Sequence, residues 1–208
     1  MGRRFVDLSI YLENDVVSDP TSMRPGIFTR PWMAERARSR SMRCRSIGAF
    51  GPGVKLDFRH LPDDYVVAAA DVAAELARIG YESRPLDIVL INTAAGKALG
   101  APNFVNVGCG MGYKATIDLA SRAVRVTGTD AWSWDAPFSR TARRVAASGD
   151  TSLICEGHKA GRDIGYCHLE KLHYLETLPP YGCTVACFPH KVRDASAGWT
   201  RAVAILDD

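Results

Sequence analysis

Glu156 to Leu178 reads E-G-H-K-A-G-R-D-I-G-Y-C-H-L-E-K-L-H-Y-L-E-T-L, and the rest of the chain is arranged around it. It holds three of the five histidines, His158, His168 and His173, together with Glu156, Glu170 and Glu176. Imidazole and carboxylate side by side suit zinc, manganese or iron, and either group also serves as a general base. His158 and Glu170 stand twelve residues apart with Gly161 and Gly165 between them, so a single helix need not join them. They meet if the chain turns at Gly165. The plain alternative is a polar turn followed by an amphipathic helix, since isolated His and Glu side chains are common on surfaces.

Outward from this stretch the chain alternates strand and helix signals. Pro85 to Thr93 (P-L-D-I-V-L-I-N-T) is a nearly continuous apolar run, the mark of a strand buried on both faces. Val124 to Thr127 reads as a second buried strand. Gly51 to Phe58 (G-P-G-V-K-L-D-F) is a strand with Lys55 and Asp57 on one face and Val54, Leu56 and Phe58 on the other. Asp57 reads as a partner for Lys55 or Arg59. Ala69 to Gly80 is a helix, with Val72, Leu76 and Ile79 on one side and Gly80 as its stop. The glycine cluster Gly108-Cys-Gly-Met-Gly112 opens a helix over about Tyr113 to Arg122. It reads as a turn more readily than as a phosphate cradle, because it lacks dinucleotide spacing. Pro137 to Ala147 is a short basic helix. Phe5 to Leu12, Gly182 to Val192 and Trp199 to Leu206 complete the strands. These elements make an α/β protein with no internal repeat and no linker that would split it.

Several of these segments together resemble the cyclase family, metal-dependent hydrolases that include bacterial kynurenine formamidase and isatin hydrolase. His158, then Glu170 twelve residues on, then Leu178-Pro179 resembles the family's C-terminal signature. Val6-Asp-Leu-Ser9 is similar to its opening strand and Gly51-Pro-Gly-Val-Lys-Leu-Asp57 to its second. Val126-Thr-Gly-Thr-Asp130-Ala-Trp-Ser-Trp-Asp135 resembles its Gly-Thr-Asp-x-x-Ser-x-Asp turn, and Arg201 to Ile205 its closing strand. The resemblance implies a single domain over 1–208 with the swivelling β/β/α fold and a disrupted N-terminal region. It implies His158 as a catalytic residue and a ligand, and Glu170 as a second ligand, for divalent zinc or manganese. It places Asp130 close to the site, and Trp132 and Trp134 offer an aromatic wall or a plain core role. It further implies hydrolysis of an amide or lactone bond in an aryl or cyclic small molecule, as in tryptophan catabolism, by a homo-oligomer.

One part of the chain departs from that family. Its central His-x-Gly-Thr-His-x-Asp-x-Pro motif, source of most metal ligands, is absent, and His60 is the one histidine before residue 158. In its place, residues 21–49 form an atypical segment in which positions 24–45 carry seven arginines against the single acid Glu35. This segment reads as sequence lost by deletion or a shifted frame, or as a basic arm for nucleic acid, the lesser of the two. With only His158 and Glu170 the site stands two histidines and an aspartate short, so activity is in doubt. A non-catalytic relative that serves as a binding or structural subunit is the alternative.

Composition sets the outer bounds. The chain has 208 residues, 47% hydrophobic and 24% charged, values ordinary for a globular domain with a substantial core. The formal charge of +3 belongs to the arginine-rich piece, and the remainder is slightly acidic. Six cysteines form no Cys-x-x-Cys pair, and Cys183 and Cys187 share a face in a strand-like run, so buried free thiols are expected. No run reaches membrane-spanning length and no signal peptide is evident, so a cytoplasmic protein with no membrane partner is expected.

Overall fold

The computed structural model describes residues 2–10, 48–190 and 198–207, so most of the arginine-rich segment lies outside the described residues. Its centre is β4, Ile88–Asn92, in which every residue is buried. The reason is its neighbourhood. It pairs in parallel with β2 (Phe50–Asp57) on one edge and with β6 (Val126–Thr129) on the other. A strand covered at both edges and on both faces has no place for a polar side chain until its end. Alternation then divides its residues. Val89 and Ile91 join one apolar cluster, and Ile88 and Leu90 join the cluster on the opposite face.

Helices cover the first of these faces. α1, Ala69–Arg78, presents Val72 and Leu76, and α2, Tyr113–Ser121, presents Ala115 and Leu119 to the same cluster. α1 lies between β2 and β4 in sequence and α2 between β4 and β6, as parallel neighbours require of their crossovers. Gly80, at φ +66°, ends the first helix, where a side chain would be strained. The second face is covered by Leu172, Leu175 and Leu178 from the chain after Glu170 and by Leu8 and Ala202. Truncating a fully buried residue such as Ile91 or Leu90 to Ala is expected to cost about 2–5 kcal/mol.

Beyond β2 the sheet turns antiparallel through β8 (Tyr181–Ala186), β9 (Val203–Asp207) and β1 (Arg3–Asp7). At the other edge β7 (Cys167–Leu169) pairs in parallel with β6. The full order is β1-β9-β8-β2-β4-β6-β7, with a separate two-stranded piece of β3 (Val66–Val67) and β5 (Gly110–Met111). This is the mixed α/β arrangement expected from the sequence. Cys183 and Cys187 are both buried.

Some local expectations change. The glycine cluster is not a simple turn, because Gly110–Met111 is itself a strand. The opening strand ends at Asp7 and β8 ends at Ala186, shorter than the apolar runs around them. The basic helix is α3, Phe138–Ser148, closed by Gly149 at φ +71°. Asp57, as expected, pairs with one of its two candidate partners, Arg59, whose Nη2 lies 2.5 Å from Oδ2. Lys55 instead turns inward and donates to the Leu178 carbonyl at 2.5 Å.

Four parallel strands, β2, β4, β6 and β7, point the same way. Ligand sites in such sheets form beyond the carboxyl ends of the strands. Asp57 closes β2 and Asn92 closes β4, while Asp130 follows β6 and Glu170 follows β7.

Candidate metal centre

The stretch 156–178 folds as a helix and then a strand, the reverse of a turn followed by a helix. α4, Glu156–Asp163, carries His158. The chain bends at Ile164–Gly165 and returns as β7. His168 lies on that strand and Glu170 just past it, two residues apart and therefore on one side of the extended chain. Beyond β7 the chain stays beside the end of β6, through Lys171 N–H to the Ala131 carbonyl at 3.0 Å and Leu172 N–H to that of Thr129 at 2.9 Å.

This path brings three ligand-type side chains together. His158 Nε2 lies 3.8 Å from Glu170 Oε1, and His168 Nε2 lies 3.4 Å from the same oxygen. The imidazoles meet edge-on with centroids 4.6 Å apart. All three donor atoms fall within 4.8 Å of one another. His158 is the most open, its side chain 41% exposed against 21% for His168 and 30% for Glu170.

A second carboxylate orients the first histidine. Asp135 Oδ2 is hydrogen-bonded to His158 Nδ1, and its Oδ1 accepts from the Gly157 N–H at 2.5 Å. Asp135 thus satisfies one free amide of the first turn of α4 and places a negative charge at its positive end. The bond to Nδ1 assigns the ring proton there and leaves the Nε2 lone pair facing Glu170 and His168. Gly157 is required beside it, since a Cβ there would stand 2.6 Å from Trp134 Cδ1 and 2.8 Å from the Met111 carbonyl oxygen.

The electrostatics favour a cation. Burial pushes the His158 pKa down, but the Asp135 bond and charge, with the charge of Glu170, outweigh it and raise the pKa above the usual imidazole value. Burial raises that of Glu170, and this is overcome by the His168 bond and charge, the Trp134 N–H and His158, so its carboxyl is held below the ordinary range. An ionised carboxylate and two imidazole nitrogens form the His₂Glu donor set of catalytic zinc sites, which keep a further position open. Donors at roughly 2.0–2.2 Å from one ion would sit slightly closer together than these do. The residues fit a divalent cation with a small contraction.

The other sequence candidates lie around this group. Asp130 is 1% exposed, and its carboxylate accepts from Asn92 Nδ2 at 2.7 Å, Thr93 Oγ1 at 2.7 Å and Thr93 N–H at 2.9 Å. Its partners are therefore at the end of β4. Desolvation dominates those bonds and lifts its pKa to about 6. Trp134 is also 1% exposed, with its ring stacked on His168 at 6.0 Å. Trp132 is partly buried against the Ala95–Phe104–Ala131 cluster. His173 is elsewhere, its ring 4.0 Å from that of Tyr174.

Sequence reasoning did not assign a role to His168 or Asp135. The signal for His168 was its two-residue spacing from Glu170, which means one face only if the segment is a strand. Asp135 was visible as the last residue of the Gly-Thr-Asp turn, but its partner is 23 residues away.

A family model described as "Putative cyclase" matches residues 34–136. Over that span, just under half of its length, the chain is similar to the cyclase family. The matched span starts inside the arginine-rich segment, ends just past Asp135, and leaves His158, His168 and Glu170 outside it. Solved structures extend the likeness of fold through those residues. Isatin hydrolase A from Labrenzia aggregata bound to benzyl benzoate is similar at 17% identity and a TM-score of 0.72, over 99% of this chain and 94% of that one. A potential metal-dependent hydrolase with cyclase activity is similar at 15% identity and a TM-score of 0.70, over the whole of both chains. An isatin hydrolase bound to the product analogue thioisatinate is similar at 19% identity and a TM-score of 0.66, over 81% of this chain, which spans 64% of its length. No curated protein matches the sequence. Among the described residues there is no helix long and apolar enough to cross a membrane.

Proposed function

We propose that this chain is a metal-dependent hydrolase that opens an amide or lactone bond in an aryl or cyclic small molecule, as an arylformamidase or isatin hydrolase does. The observation that carries the reading is the convergence of His158, His168 and Glu170, with His158 oriented by Asp135. Two of these residues were expected from sequence. His168 brings the set to three, the usual number of protein ligands in a catalytic zinc site. The site can therefore be built without the missing motif; most of the segment that stands in its place, residues 21–49, lies outside the described residues.

In this reading His158 Nε2, His168 Nε2 and a Glu170 oxygen hold zinc or manganese. Bound there, the ion supplies Lewis acidity toward the substrate carbonyl and toward an attacking water. Glu170 stays ionised because His168, His158 and the Trp134 N–H face it. Asp135 keeps the His158 proton on Nδ1. Trp132 gives the substrate an aromatic surface, while Trp134 and Asp130 shape the same loop from beneath. The protein works as one domain, as a homo-oligomer in the cytoplasm.

The test is metal-stripped protein titrated with zinc or manganese, followed by thermal melting and by hydrolysis of isatin and N-formylkynurenine. A ligand at 100 times its Kd stabilises by about 2.7 kcal/mol, a clear rise in Tm. His158→Ala and His168→Ala are expected to abolish both the rise and the hydrolysis. Failure of any divalent ion to bind at micromolar levels overturns the reading. It leaves the non-catalytic binding subunit, which the absent His-x-Gly-Thr-His motif favours.

A further inference from the structure

We infer that Thr116 and Trp134 are positioning residues for the metal ligands, and that the Thr116 hydroxyl on α2 sets ligand geometry through the indole ring. The inference rests on the metal reading above. Trp134 is tied at every polar atom. Its backbone N–H donates to Glu170 Oε1 at 2.9 Å, and its carbonyl accepts from the Met111 N–H on β5 at 2.8 Å. Its indole N–H donates to Thr116 Oγ1 at 3.0 Å. The Thr116 hydroxyl in turn donates to the Gly112 carbonyl at 3.0 Å, which fixes its lone pairs toward the indole.

The ring touches the rest of the centre. It stacks on His168 with an interplanar angle of 21°. It lies 6.3 Å from Tyr166, whose hydroxyl donates to the Gly157 carbonyl at 2.9 Å. Its Cδ1 faces Gly157 so closely that a methyl group there would collide at 2.6 Å. One residue therefore contacts all three: its ring meets His168 and the residue before His158, and its backbone N–H holds the Glu170 carboxylate. Thr116 and Trp134 are each 1% exposed, so neither reaches a substrate directly. An indole rotated away from Thr116 would leave its N–H unpaired in the core and shift the surface that His168 rests on.

Cobalt(II) binding to metal-stripped protein tests this, because the visible cobalt spectrum reports the ligand set and a chelator competition reports the affinity. Thr116→Val keeps the shape of the residue and deletes the hydroxyl. We expect it to lose 10–100-fold in cobalt affinity and to alter the spectrum, as outer-shell changes do. Thr116→Ser, which keeps the hydroxyl, is expected to restore both. Should Thr116→Val fail to fold by circular dichroism, Trp134→Phe replaces it, since it keeps a ring over His168 and the backbone N–H while removing the indole donor. The same loss is expected. Unchanged affinity and spectrum in the folded variant overturn the inference and leave the metal reading intact. A wild-type protein that binds no cobalt overturns both.

Discussion

Asp130 and Glu170 occupy matching places at the carboxyl ends of neighbouring parallel strands, yet they are opposite in character. Asp130 is surrounded by neutral donors, Asn92 and Thr93, and its pKa stands at about 6. Glu170 is surrounded by two imidazoles and one amide, and its pKa lies below the ordinary carboxylate value. Asp130 is the more deeply buried, 1% exposed against 30% for the Glu170 side chain. The difference teaches that neutral hydrogen bonds do not repay the desolvation of a carboxylate, whereas groups able to carry positive charge do. Only the second environment is ready for a metal ion. The first is a structural joint that ties the end of β4 to the turn after β6.

The largest expected effect breaks the comparison at its functional side. Glu170→Gln is expected to lower zinc affinity beyond the 10–100-fold typical of outer-shell changes, while Asp130→Asn leaves zinc affinity in place. Calorimetric titration of the two variants measures this, and equal losses would erase the distinction. Next in size is the effect of pH on folding. Because the Asp130 pKa is raised, the folded chain holds a proton that the unfolded chain releases between about pH 3.8 and about pH 6. Its contribution to stability is complete below that window and is lost as pH rises through it, by roughly 3 kcal/mol in all. Urea melts of wild type and Asp130→Asn across this range are expected to differ in slope there and to run parallel above it.

Asp135→Asn sharpens the comparison from the outer shell. It keeps the shape that orients His158 but removes the charge, and zinc affinity is expected to fall by about 10–100-fold. The smallest effect is Thr93→Val. It deletes one neutral donor to Asp130, at an expected cost of about 1.5 kcal/mol above pH 6 and less below, where the carboxyl is protonated. Denaturant midpoints at two pH values measure it, and a cost independent of pH would show that Asp130 is not ionised there.

Much of the frame was legible in the chain. β4 was visible because an unbroken apolar run fits only a strand covered on every side. α1 was visible from its periodicity and its closing glycine, and α2 from the glycine cluster that opens it. His158 and Glu170 were visible as residue types and through family spacing. What could not be read was the path between them. The order of helix and strand in 156–178 decides which side chains face one another, and a polar stretch of that length carries no dominant period.

The sequence by itself determined which residues are apolar enough to build the sheet and which carry metal-binding chemistry, because both depend on side-chain type and local spacing. Only the tertiary structure decided that His168 joins His158 and Glu170, that Asp135 reaches His158 across 23 positions, and that Trp134 lies beneath them. Those contacts arise where a parallel crossover returns β7 to the edge of β6. Such pairing is set by the packing of whole elements and not by any local run of residues.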